Sequence, residues 1–202
     1  MKVNLSSLSH RAQGLISAPR FYLEGESHGP DFAIENIGDK ILTARHRGPR
    51  DEVSFLFAEV LAQFSEGKTL REIWRISFRE IESFLRDENH LPFSPEDPQE
   101  LENLFVKVKL SLMGALFRSV HALDFSEVSK ASSRWNELSL VEKNKSSQVL
   151  FSALSWDFIY CDGEISYVRG VFEGLSTEAM EAFLGEIFRG AGKVLPMKVV
   201  AV

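Results

Sequence analysis

Gly67-Lys68-Thr69-Leu70-Arg71-Glu72-Ile73-Trp74-Arg75-Ile76-Ser77-Phe78-Arg79-Glu80-Ile81-Glu82-Ser83-Phe84-Leu85 carries three helix boundaries in nineteen residues. Gly67 follows an apolar helical stripe and suits a left-handed cap, because it has no Cβ to clash there. Thr69-Leu70-Arg71-Glu72 and Ser77-Phe78-Arg79-Glu80 both read S/T-x-x-E. In that pattern the hydroxyl accepts the N–H three residues on, and the acid reaches back to the N–H of the hydroxyl residue. The stretch therefore predicts the end of one helix, then two short helices with a corner between them.

Upstream, Val53, Phe57, Val60, Leu61 and Phe64 recur at helical spacing. Phe55 and Leu56 widen the stripe, so this helix is expected to be buried on more than one side. Gly48-Pro49-Arg50-Asp51-Glu52 predicts its start, with proline at the first helical position and two acids at the positive end of the dipole. Residues 32–35 and 40–45 flank Asn36-Ile37-Gly38-Asp39 and predict a β-hairpin. Residues 5–16 read as a short amphipathic helix stopped by Ala18-Pro19, and Arg20-Phe21-Tyr22-Leu23 as a strand. Downstream, residues 89–98 form a proline-bearing loop before a long helix with Leu101, Leu104, Phe105, Val108, Leu112, Ala115 and Leu116 on one stripe.

Residues 126–147 are polar and rich in Ser, Lys and Glu, which marks a domain boundary in this region. Residues 156–160 and 164–172 then flank Cys161-Asp162-Gly163, a second hairpin turn. Ser176 caps a last helix through Phe188, followed by Gly190-Ala191-Gly192 and an apolar tail over 194–202.

The two hairpins suggest an internal repeat. Asp31-Phe32 and Asp157-Phe158 each open a hairpin seventeen residues before a glycine, Gly48 and Gly174, and each following helix runs to a Gly-Lys pair. Upstream, Gln13-Gly14-Leu15-Ile16-Ser17-Ala18 is similar to Gln148-Val149-Leu150-Phe151-Ser152-Ala153. The blocks are short and made of common residues, so chance is the competing reading. If the repeat is real, the second copy lacks the two capping-box helices and packs on the first as an internal pseudo-dimer.

Written as G-K-[ST]-L-x-E-x-x-x-I-x-x-x-[DE]-I-x-x-x-L, residues 67–85 resemble the iron–sulfur cluster assembly scaffolds of the IscU/NifU N-terminal type. Gly67, Lys68, Thr69, Leu70, Glu72, Ile76, Glu80, Ile81 and Leu85 match without a gap. The surroundings agree with that family: Ala18-Pro19-Arg20 stands where it has N-P-R, and Ala44-Arg45-His46 where it has an A-R-[FH] strand. Leu91-Pro92 and the small-residue helix over 111–116 follow in the same order. The resemblance covers roughly residues 5–120 and implies an α+β fold, a small antiparallel sheet with helices packed on one face. The organisation expected is a scaffold-like domain over 1–120 and a partial hairpin-helix repeat over 121–202.

The family's chemistry rests on three cysteines, because thiolates are soft anionic ligands for iron. Their positions fall near His28, at about Asp51 and near Leu104, and this chain has a single cysteine, Cys161. Three-cysteine ligation is excluded within one chain, and so is a disulfide framework. His28, Asp31 and Asp51 are the nitrogen and oxygen candidates for a metal, against the simpler reading of a loop histidine and a first-turn helix acid. Cys161 lies in the predicted turn without a neighbouring base, which suits a solvent-facing or tolerated thiol rather than a nucleophile. His10, His46, His90 and His121 show no metal spacing or triad context, the serines no G-x-S-x-G elbow, and Gly190-Ala191-Gly192-Lys193 no complete phosphate loop. No cofactor is implied.

Twenty-nine acids against twenty-three bases give a net charge of −6, which argues against general affinity for nucleic acid. No apolar run approaches the ~20 residues of a membrane span, and the start Met1-Lys2-Val3-Asn4-Leu5 lacks the apolar run and small-residue cleavage site expected of a signal peptide. The cytoplasm is the expected compartment. Arg45-His46-Arg47-Gly48-Pro49-Arg50 sets three arginines at a strand end and helix start, where a carboxylate, phosphate or acidic protein surface is a fitting ligand. An ordinary solvated loop is the plainer reading. The expected function is a non-catalytic, scaffold-like interaction or accessory protein with a protein partner, the iron–sulfur assembly machinery being the resemblance's candidate. The alternative is a metal- or anion-dependent enzyme using His28, Asp51 and Arg45, Arg47 and Arg50.

Overall fold

The hairpin of the chain's first unit is formed by β1 (Asp31–Ile37) and β2 (Lys40–Arg47), antiparallel, with Asp31 opposite Arg47 and Ile37 opposite Lys40. Gly38 makes the turn at φ +60°, a conformation that costs glycine nothing. The computed structural model describes residues 4–25, 27, 29–50, 52–88, 91–121, 134–153, 157–169, 176–188 and 197–200. It divides into two compact units, Met1–Val120 and His121–Val202. Both are α+β.

In the first unit, α1 (His10–Ser17) precedes the hairpin, and α2 (Val53–Ser65) follows it. The predicted single helix over 5–16 is instead a short 3-10 turn at Leu5–Ser7 and then α1, because Ser9 takes the N-cap and accepts from the Ala12 N–H at 3.1 Å. α2 also starts later than predicted. Its N-cap is Glu52, without a side-chain cap bond, and Pro49 lies in the connector ahead of it. That connector places Arg50 over the Tyr22 ring.

α2 is the centre of the core. Phe55, Leu56, Phe57, Val60 and Leu61 are all at most 1% exposed, and each such side chain contributes about 1.5–3 kcal/mol by leaving water. Phe57 meets Phe78, Phe93 and Phe105 edge-on at 5.8–6.1 Å, which ties α2 to the elements that follow. Those are α3 (Leu70–Trp74), α4 (Phe78–Leu85) and α5 (Pro98–His121). Both capping boxes are formed: Thr69 with Glu72, and Ser77 with Glu80. Gly67 adopts φ +73°, and the chain after it is stitched to the start of β2 by the bonds Gly67 N–H to Ile41 C=O and Ile41 N–H to Lys68 C=O.

The second unit repeats the order helix, hairpin, helix. Its elements are α6 (Leu140–Ala153), β3 (Asp157–Cys161), β4 (Ser166–Arg169), α7 (Thr177–Ile187) and β5 (Met197–Val199). Ser176 caps α7 by accepting from the Ala179 N–H. β3 and β4 are antiparallel, but β5 runs parallel to β4, so this sheet is mixed rather than purely antiparallel. Of the two readings expected for Cys161 in a turn, a solvent-facing or a tolerated thiol, the solvent-facing one is corrected. Cys161 ends β3 and is 4% exposed, packed with Trp135, Leu138 and Phe158. Gly174, Gly192 and Lys193, which mark the second copy of the repeat, lie outside the described residues. Among the described residues no helix is long and apolar enough to cross a membrane.

Candidate functional site

Strand alternation decides which side chains of β2 reach solvent. Ala44 and His46 turn inward and are fully buried, while Arg45 and Arg47 turn outward, opposite Ala33 and Asp31 of β1. Arg50, in the connector, lays its guanidinium over the Tyr22 ring with its carbon 4.5 Å from the centroid, a cation–π contact. Arg47 lies along the backbone of Gly25. Gly25 holds φ +148°, which favours glycine, and a Cβ there would stand 3.3 Å from Cδ of the exposed Arg47 side chain, which would have to shift slightly. All three arginines are exposed, and among the described residues none of them makes an ion pair.

Tyr22 and Gly25 belong to one segment, and that segment is tied down from beneath. The His46 N–H donates to Phe21 C=O at 2.9 Å, and the Leu23 N–H donates to His46 C=O at 2.8 Å, a one-residue parallel bridge to β2. Its other anchor is Glu59 of α2, 1% exposed. The Glu59 carboxylate accepts the backbone N–H groups of Arg20, at 2.5 Å, and Phe21, at 3.1 Å. It also lies 2.9 Å from His46 Nε2. A buried carboxylate costs several kcal/mol unless its oxygens are satisfied, and here three N–H donors satisfy them.

His46 therefore carries its hydrogen on Nε2, the nitrogen that faces the acceptor. Its ring is boxed by Phe55, Tyr22 and Phe32, with centroids 4.9, 5.9 and 6.2 Å away. Nδ1 is buried and, among the described residues, without a hydrogen-bond partner. The chain of support is continuous: Glu59 and His46 hold residues 20–23, and residues 22–25 carry Arg50 and Arg47.

Of the candidate metal ligands, Asp31 is half-buried at the head of β1, directly across from Arg47. His28 and Asp51 lie outside the described residues, so Asp31 alone represents that set in the structure. Among the described residues no three His, Cys, Asp or Glu side chains gather to hold a metal. His10 is exposed beside Asp87, 3.2 Å away. The Glu59–His46 pair went unmarked in the sequence, although one signal was there: Glu59 is the lone charge inside the apolar run 53–62. No family model matches the chain, and neither a curated protein nor a solved structure matches it.

Proposed function

We propose that the chain is a non-catalytic interaction protein that docks an acidic surface of a protein partner on Arg45, Arg47 and Arg50. The observation that carries this reading is the state of those three side chains, exposed and without ion pairs among the described residues, with two of them braced on a segment that Glu59 pins down. Planar guanidinium forks fit carboxylates bidentately, and bracing lowers the rotamer entropy lost on binding.

The finer form of the reading is a relative of the iron–sulfur assembly scaffolds that serves cluster assembly in the cytoplasm as an accessory or regulatory partner. The gap-free motif over 67–85 and the order of helix, hairpin, helix and two capping-box helices support it. With one thiol in the chain, that role is filled without three-cysteine cluster ligation.

The test compares the wild-type chain with an Arg45→Ala, Arg47→Ala, Arg50→Ala triple variant. Poly-glutamate is the named probe for an acidic surface. Its binding is expected to fall about tenfold or more in the variant, and to weaken with salt as exposed charge pairs do. Crosslinked capture from native extract then reads the finer claim, with iron–sulfur assembly proteins expected in the wild-type sample only. Equal poly-glutamate binding by both proteins at every salt concentration removes the docking reading.

A further inference from the structure

An open groove of about 520 Å³ lies between the end of α2 and the outer face of α4, lined by Phe64, Ser77, Arg79, Glu80, Ser83 and Phe84. The groove is shallow and open to solvent, so a ligand there keeps one face in water. Its apolar part is a pair of rings. Phe64 and Phe84 meet edge-on with centroids 5.2 Å apart, and both are half-buried. Phe84 is steadied by Arg11, which places its guanidinium carbon 5.6 Å from the ring centroid and donates to Phe84 C=O at 2.7 Å.

The polar groups of the groove fall into two sets. Ser77 and Glu80 are engaged with each other, since the Ser77 N–H and O–H both donate to the Glu80 carboxylate at 2.7 Å. Those bonds hold the Glu80 carboxyl below its ordinary range and direct its charge at the helix start. Arg79 and Ser83 are not engaged. They lie one turn apart on α4, both exposed, and among the described residues neither has an ion pair or a hydrogen bond from its side chain.

The geometry points to a binding site for small aromatic carboxylates in this groove. The ligand ring packs on Phe64 and Phe84 in an offset or edge-on arrangement. Its carboxylate takes the paired N–H donors of the Arg79 fork, with the Ser83 hydroxyl as a further donor. Acetate leaves the rings uncovered, and a neutral aromatic leaves the Arg79 fork without its anion. Both halves of the ligand are therefore required. The site shares no residue with the arginine tip and stands independently of the interaction reading.

The experiment is a calorimetric titration of the full chain with phenylacetate, alongside phenylacetamide and acetate. Phenylacetate is expected to bind saturably and about tenfold more tightly than either control: the amide lacks the ionised acceptor that strengthens the Arg79 bonds, and acetate lacks the ring that packs on Phe64 and Phe84. Arg79→Gln keeps an exposed helix-forming residue and is expected to fold normally while losing phenylacetate binding about tenfold. Phe84→Leu keeps an apolar side chain there and is expected to weaken phenylacetate more than acetate. Absence of saturable phenylacetate binding overturns the site, and so does unchanged binding in a folded Arg79→Gln. Binding kept by Arg79→Gln but lost by the Arg45, Arg47 and Arg50 triple variant places the ligand at the tip and likewise overturns it.

Discussion

Glu59 and Glu181 occupy matching places in the two units. Each follows by twelve residues the arginine, Arg47 or Arg169, that sits opposite the aspartate opening its hairpin. Each carboxylate accepts a backbone N–H from a segment running parallel to the hairpin's second strand: Arg20 and Phe21 in the first unit, Val199 of β5 in the second. The partner segments come from opposite directions along the chain, before β1 in one unit and after α7 in the other. The shared requirement is physical. A strand added parallel to a hairpin leaves backbone N–H groups to satisfy, and a helix packed on that hairpin can present a carboxylate to them.

The two glutamates differ in burial, which sets unequal consequences for their removal. Glu59→Ala leaves two backbone donors and His46 Nε2 without their acceptor inside the core. The loss expected is about 2–5 kcal/mol, since each buried donor left without its acceptor costs about 1–3 kcal/mol. Glu181 is exposed and makes one such bond, so Glu181→Ala is expected to cost only about 1 kcal/mol. Urea unfolding of both variants checks the ratio. Hydrogen exchange at Leu23 and His46, the amides of the parallel bridge, should speed up in Glu59→Ala alone.

Lys109 gives a pH dependence with a defined sign. It is 5% exposed, donates from Nζ to Trp74 C=O and Ile76 C=O at 3.0 Å each, and stands 4.3 Å from the Trp74 ring centroid. Burial lowers its pKa from 10.5 to about 8. Between those values the unfolded chain holds more protons than the folded one, so stability rises with pH across the window. Below about 8 the charged amine burdens the fold by on the order of 3 kcal/mol relative to its neutral form. The neutral amine still has hydrogens for both carbonyls. Lys109→Met removes this slope, so the wild-type stability should climb relative to the variant in urea unfolding from about pH 8 to about pH 10.5.

The short-range parts of this architecture were legible because their physics is local. A capping box is a contact between residues three apart, and both boxes over 67–85 formed as their hydroxyl-acid spacing predicts. The β1–β2 turn is equally local. The parallel pairings of Tyr22 with His46 and of β4 with β5 were not legible, since no spacing joins residues so far apart. Cys161 was misplaced by one irregularity. The register shift between Phe158 and Tyr160 resets the strand's alternation, and Cys161 then turns to the core while Tyr160 is 48% exposed. For the site, Arg45, Arg47 and Arg50 stood out as a charge cluster, but the residues that brace them are uncharged or buried and carried no cluster signal.

Gly25 couples backbone conformation to the arginine tip. Its φ of +148° is open to glycine, and a Cβ there meets Arg47 Cδ at 3.3 Å. Gly25→Ala is expected to cost about 1–3 kcal/mol, the usual range for a non-glycine residue held in such a region. It should also lower poly-glutamate binding by displacing Arg47, while Gly29→Ala, with nothing near its Cβ, leaves binding unchanged. Equal binding by wild type and Gly25→Ala would show that Arg47 does not need its brace.

The lone thiol sets the last expectation, anaerobic reconstitution with iron and sulfide. Cys161 is buried against Trp135 at the end of β3, its sulfur accepting the Gly163 N–H at 3.4 Å. One thiolate supplies one of the four ligands that iron–sulfur clusters ordinarily take, and reaching it requires opening of the second unit. A monomer is therefore expected to keep no cluster absorption after desalting. The same burial predicts slow reaction of Cys161 with a thiol reagent in buffer, at a rate that rises with urea as the unit opens. A stoichiometric cluster spectrum that survives desalting in a verified monomer would contradict the reading of a scaffold relative without cluster ligation, and prompt thiol labelling without denaturant would contradict the packing of Cys161.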